Sequence, residues 1–192
     1  MNLSVVNILI IENNFVVVRF SFIFLVYKGI KINNRYCLKT TTQIKMHVRF
    51  KNINLITKDW KRLASFYEEV LGCIPVKPER DLSGEWLDNA TGIKKSHIKG
   101  IHLRLPGCGQ TLEIFQYENS PDRPKTVLNS LGFSHIAFIV DDVAEKAREI
   151  CNAGGKVVGE LAEVEIPEVG FLGFQYLSDP DGNIIELQKW PK

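Results

Sequence analysis

The 192-residue chain is 45% hydrophobic and 24% charged, an ordinary globular composition that suits one domain or two small ones. Its net charge of +2 is uneven: residues 1–45 carry six basic groups and one acid, Glu12, whereas residues 46–192 carry 18 basic and 21 acidic groups. A mildly acidic domain with no basic stripe argues against a nucleic-acid partner, and four widely spaced cysteines (Cys37, Cys73, Cys108, Cys151) without CxxC spacing point to reduced thiols and a cytoplasmic setting.

Residues 1–45 are rich in Val, Ile, Phe and Asn and lack helix caps. The apolar run 15–27 contains Arg19 and falls short of the roughly 20 residues a membrane span needs. No basic start or small-residue cleavage site marks a signal peptide. Met46 stands just before the first well-patterned strand, so residues 1–45 are expected to be an N-terminal extension outside the functional domain. A targeting or membrane-associated segment, or an added strand or helix, are the alternatives.

From residue 46 onward the elements are clear. "FKNINLITKDW" alternates as a strand and ends at Asp59, suited to cap a helix over 60–71. That helix places Leu63, Phe66, Tyr67 and Val70 on one face and stops at Gly72. Ile101, Leu103 and Leu105 then alternate, and Pro106-Gly107-Cys108-Gly109 turns the chain into "TLEIFQY". Residues 118–131, with Pro121 and Pro124, read as a linker. "FSHIAFIVDDV" opens a second half, followed by a helix over 143–153 with Asp142 and Glu145 placed like a capping box and Gly154-Gly155 as its stop. "FLGFQYL" and the turn Asp179-Pro180-Asp181-Gly182 lead into "IIELQKW".

The halves repeat. Phe50 falls on Phe133, Asn52 on His135, Ile53 on Ile136, Asp59 on Asp142 and Glu113 on Glu186. The expected architecture is α+β: two βαβββ modules, about 48–118 and 133–190, each a curved, mostly antiparallel sheet, forming a cup-shaped mixed sheet with helices on the outside. Strand alternation turns Ile53, Leu55, Leu112, Ile114, Ile185 and Leu187 towards the helices and Asn52, Asn54, Glu113 and Glu186 to the concave face. A buried carboxylate needs a partner or an ion. One imidazole, two carboxylates and an amide oxygen, from His135, Glu113, Glu186 and Asn52, suit one divalent ion such as Mn, Fe, Co, Ni or Zn. Asp59 and Asp142 read as caps, and His102, in "IHLRL", as structural or pocket-lining. Asn54, Trp86, Phe115 and Phe171 are expected to line the cup, which would take a small molecule.

"FKNINLITKDWKRLASFYEEVLG", "LEIFQY", "FSHIAFIVDDV" and "DPDGNIIEL" resemble the vicinal oxygen chelate superfamily, the glyoxalase/bleomycin resistance protein/dioxygenase fold, over about residues 48–190. The resemblance implies that Glu113, His135 and Glu186 are metal ligands, with Asn52 at a position where His, Gln or Glu is usual. It implies a metal-dependent lyase, isomerase or epimerase similar to glyoxalase I (lactoylglutathione lyase) or methylmalonyl-CoA epimerase. Glu186 would take a proton next to a chelated carbonyl, with Glu113 as second choice. A dioxygenase or thiol transferase is one alternative, and a non-catalytic drug-binding protein like the bleomycin-resistance members is another. Members form the cup within one chain or across a dimer; the edge strands of such small sheets favour a homodimer here.

Overall fold

A computed structural model describes residues 8–12, 15–19, 48–122, 124 and 127–191. The chain divides into two compact units, residues 1–49 and 50–192. In the first, β1 (Ile8–Glu12) and β2 (Phe15–Arg19) pair antiparallel as a hairpin. Met46 and the rest of the N-terminal segment lie outside the described residues, and so does the expectation that the functional domain starts there.

The second unit holds both modules. The first module runs β3 (Asn52–Ile56), α1 (Trp60–Glu69), β4 (Ile74–Ser83), α2 (Glu85–Thr91), β5 (His97–Arg104) and β6 (Thr111–Tyr117). The second runs β7 (His135–Ile139), α3 (Val143–Asn152), β8 (Lys156–Val157), β9 (Ala162–Ile166), β10 (Gly170–Ser178) and β11 (Ile184–Lys189). Sheet order is β3-β6-β5-β4 in one and β7-β11-β10-β8 in the other, with β9 also on β10. In each sheet the first and last strands of the module pair parallel and the other pairs are antiparallel. This is the α+β fold of two repeated modules, with two additions. Gly84 and Gly92, both at positive φ, bracket the short α2, and β9 adds a strand beside β10.

The caps act as the sequence indicates: Asp59 Oδ1 accepts from the Arg62 amide and Asp142 Oδ1 from the Glu145 amide. Strand alternation also holds. Leu55, Leu112, Ile114, Ile136, Ile185 and Leu187 are buried with Leu63, Tyr67, Ala147 and Ile150 of the helices in one core that spans both modules. The polar residues at the intervening positions therefore face away from the helices. Among the described residues no helix is long and apolar enough to cross a membrane.

Two of the polar contacts that tie the modules together lie beside this core. Lys146 Nζ on α3 donates to the Val70 carbonyl at the end of α1, 3.0 Å. Tyr67, fully buried on α1, donates its hydroxyl to Asp179 Oδ2 at 3.0 Å. Asp179 opens the Asp-Pro-Asp-Gly turn and also accepts from the Asp181 and Asn183 amides and from Asn183 Nδ2. The turn is thus built around a buried carboxylate with four donors. Burial holds that carboxyl above its ordinary range against those hydrogen bonds, and burial together with Asp179 raises the Tyr67 hydroxyl.

Candidate functional site

The concave face of the second module carries its polar residues on β7, β11 and β10. His135 is the first residue of β7, and parallel pairing sets it beside Ile184 while Glu186 falls beside Ala137. His135 Nε2 reaches Glu186 Oε2 at 3.0 Å. Glu186 is only 7% exposed, so its carboxylate is held in a poorly solvated setting where that imidazole matters. The other ring nitrogen, Nδ1, lies 3.2 Å from the Ser134 hydroxyl, which donates to the Leu128 carbonyl at 3.0 Å. The tautomer that carries its proton on Nε2 donates to the Glu186 carboxylate and leaves Nδ1 to meet the Ser134 hydroxyl.

Tyr176 completes this group. It pairs with Glu186 across β10–β11, and its ring meets His135 edge-on at 5.4 Å between centroids. Burial, then the Glu186 charge and the hydrogen bond to it, raise the phenol above its ordinary range, so Tyr176 stays a donor to Glu186.

The first module builds a different arrangement around its own glutamate. Glu113 lies opposite His102 across β5–β6 and beside Asn54 across the parallel β3–β6 pair. His102 Nε2 is 3.5 Å from Glu113 Oε1, and Asn54 Nδ2 donates to Oε2 at 3.3 Å. Burial lowers His102 from its ordinary range, with Glu113 opposing, so a neutral imidazole faces this carboxylate. Phe115 follows on the same face, its ring 5.6 Å from that of His102. Gly100 makes room for it: a Cβ there would lie 2.1 Å from the Ile114 carbonyl and 2.6 Å from the Phe115 ring.

The structure therefore brings Glu186 to His135 and, separately, Glu113 to His102 and Asn54. Asn52 sits at the start of β3 beside Thr111, one pleat away from Glu113, and the half-buried amide is not what meets that carboxylate. Among the described residues no three His, Cys, Asp or Glu side chains gather as a divalent ion would require. The donor types of Asn52, Glu113, His135 and Glu186 suit a divalent ion, and the chain sets Glu186 with His135 and Glu113 with His102 and Asn54. Of the residues expected to line a cup, Asn54 lines a cavity of about 490 Å³ with Ile56, Tyr117 and the 93–97 loop, and Phe115 packs beside His102. Trp86 lies exposed on α2 against Gly84, and Phe171 lies exposed on β10 opposite Glu165.

The cavity mouth carries a residue that the sequence did not single out. His97 at the start of β5 has Nε2 2.5 Å from Asp81 of β4 and Nδ1 2.6 Å from Glu118, just past β6. The hydrogen bonds to Asp81 and then Glu118 hold this imidazole above its ordinary range. A raised folded value means the clamp contributes fully below the unfolded imidazole value of about 6.5 and is lost as pH rises through the folded one. In a histidine NMR titration His97 is expected to titrate above that reference, and Asp81→Asn to bring it down. Titration at or below the reference in the unsubstituted protein would contradict the clamp.

Comparison with known proteins adds the wider context. A family model described as the Glyoxalase/Bleomycin resistance protein/Dioxygenase superfamily matches residues 49–187. Among solved structures, a glyoxalase family protein from Bacillus cereus is 21% identical, with a TM-score of 0.67 over 78% of this chain and 99% of that one. At that identity the likeness shows the fold. A glyoxalase family protein from Enterococcus faecalis is 25% identical, with a TM-score of 0.48 over 74% of this chain and 96% of that one. No curated protein matches the chain.

Proposed function

The chain belongs to the glyoxalase/bleomycin resistance protein/dioxygenase superfamily, and from that premise we propose that it is a lyase or isomerase that moves a proton on the carbon next to a carbonyl of a small molecule. The observation that supports this reading is the His135–Glu186 contact at 3.0 Å on a buried carboxylate. A base of this kind must be held close to its partner, poorly solvated and able to take up or release one proton within reach of substrate.

In this reading Glu186 is the base that removes the substrate proton. His135, anchored through Ser134, holds the Glu186 carboxylate in place. Tyr176 keeps Glu186 oriented from the opposite side. Glu113, with neutral His102 and Asn54, would serve as a second carboxylate that stabilises positive or hydrogen-bonding parts of the substrate. The test is exchange of substrate α-protons with solvent in D2O, followed by NMR over a panel of α-ketoaldehyde–thiol adducts and acyl-CoA thioesters. Failure of every member to exchange would remove the reading.

A divalent ion would draw nitrogen and carboxylate donors from the two His–Glu pairs, each of which alone offers two. Metal content of protein purified without chelator, read beside its oligomeric state, is the check: Glu113→Gln and Glu186→Gln should both lower it if the pairs share one ion.

A non-catalytic binding protein is the second reading. It is favoured by apolar side chains open on the concave positions, Ile56 at 43% and Ile139 at 75% exposed. Tight binding of apolar drug-sized molecules without any proton exchange would select it.

A further inference from the structure

The cavity beside Asn54 has a wall of unusual construction. The segment between α2 and β5 is fixed by its own side chains. Asp88 accepts from the Lys95 amide at 2.7 Å and from the Ser96 amide at 2.8 Å. The Ser96 hydroxyl donates to the Ile93 carbonyl at 3.0 Å, and the Thr91 hydroxyl donates to the Leu87 carbonyl at 2.8 Å while lying 3.1 Å from Ser96 Oγ. Lys95 is held at φ 57°, a left-handed conformation that costs a residue with a Cβ and persists where the surroundings over-determine it. The loop is therefore a braced platform rather than a slack connection.

What the platform presents is positive. Lys94 and Lys95 both line the cavity of about 490 Å³. Among the described residues neither ammonium forms an ion pair, while the carboxylate in the lining, Glu118, is engaged by His97. In a domain with more acids than bases, two adjacent cations left open over a concave lining stand out. The rest of the wall is mixed: Ile56, Ile93 and Tyr117 are apolar or aromatic, and Asn54 connects the cavity to Glu113 through its amide. A ligand suited to this lining has an anionic end for the lysines and a short apolar stem for the isoleucines and the tyrosine.

We propose that this cavity binds the anionic end of the small-molecule substrate, a carboxylate or phosphate carried on a short apolar stem, with Lys94 and Lys95 as the recognition pair. The proposal rests on the proton-transfer reading for the fate of the other end of the molecule, not for the binding itself. Asn54, shared between the cavity and Glu113, directs the rest of the molecule towards the carboxylate face of the first module. Specificity for charge would then be set at α2–β5, a segment that carries no recognisable motif.

The experiment titrates the full chain with hexanoate, hexyl phosphate and, as the neutral match, hexanol, followed by calorimetry and amide NMR. Both anions are expected to perturb the 93–97 and 117–120 amides, with hexanol at least tenfold weaker, since a charged hydrogen bond lost to a neutral group changes affinity by about that factor or more. Lys94→Gln/Lys95→Gln should weaken the anions by about tenfold or more, leave hexanol unchanged and flatten the salt dependence. The tighter of the two anions names the head group. Equal binding of hexanol and hexanoate, or anion binding untouched by the double substitution, would overturn the proposal. Glu186→Gln separates it from the catalytic reading: probe binding should survive that change. A wild-type protein that shows lysine-dependent anion binding but exchanges no substrate proton keeps this inference and discards the other.

Discussion

Glu186→Gln is expected to lower proton exchange on the true substrate by about 10²–10⁴-fold, the range a positioned general base contributes, while the protein stays folded. Gln keeps the volume and can still accept from Tyr176, so the packing around Ile185 and Leu187 has no reason to change. What it loses is the carboxylate that can take up the substrate proton and that the contact to His135 engages. The amide would set an N–H or a carbonyl against Nε2 and form an ordinary hydrogen bond. The loss should therefore appear in kcat and kcat/KM together rather than in KM alone, as expected for a group acting in the transition state. Glu113→Gln is the internal control. Its carboxylate faces a neutral imidazole at 3.5 Å and an amide donor, so its removal should cost less in exchange. If Glu186→Gln retains activity and Glu113→Gln abolishes it, the two glutamates have their roles reversed. If neither changes exchange, the base lies elsewhere.

The modules, the caps and the faces of the strands were readable because each depends on local pattern or on internal repetition. Asp59 and Asp142 cap because they precede helices, and Glu113 and Glu186 share a face because alternation forces it. His135 and Glu186 lie on strands whose parallel pairing follows from the βαβββ order. His102 was not readable in the same way. Its counterpart in the second module is Tyr176, not a histidine, so the repeat gives no signal for it. The missing information is the β5–β6 register: once the turn after Arg104 pairs it with Thr111, counting two residues back along β5 and two forward along β6 puts His102 opposite Glu113. Asn52 and His135 stand at the same register, beside Thr111 and Ile184, so strand pairing alone does not separate them. The difference lies in the side chains: the imidazole reaches Glu186, whereas Glu113 meets Asn54, at the position that Ala137 holds in the second module. The α2 segment was opaque because seven residues, bounded by two glycines at positive φ, are too few to show a helical period.

Asp179→Ala is expected to cost about 3 kcal/mol of folding stability, because it strands several donors that are buried or partly buried. Asp179 is 1% exposed and serves four of them: the Tyr67 hydroxyl, the Asp181 and Asn183 amides and Asn183 Nδ2. Each donor left without a partner costs about 1–3 kcal/mol. The total should fall below the sum because water can reach the turn amides, and because Ala also removes the desolvation of a carboxyl that burial already holds above its ordinary range. The Tyr67 hydroxyl has no such relief, since that ring is fully enclosed by the core joining the two modules. Tyr67→Phe takes away the donor together with the need for an acceptor, so alone it should cost only about 1 kcal/mol. In the Tyr67→Phe background Asp179→Ala should then be milder than in the unsubstituted protein, a coupling read from urea unfolding in a double-mutant cycle. The same carboxylate sets Asp181, which accepts from Thr57 Oγ1 at 2.5 Å and pairs with Arg62 at the start of α1. Loss of Asp179 should accordingly loosen the contact between the first module and the turn that feeds β11, and so disturb the strand that carries Glu186. Additive costs in the cycle, with substrate proton exchange unaffected, would show that the turn is held by its backbone alone and that Asp179 does not link the core to the site.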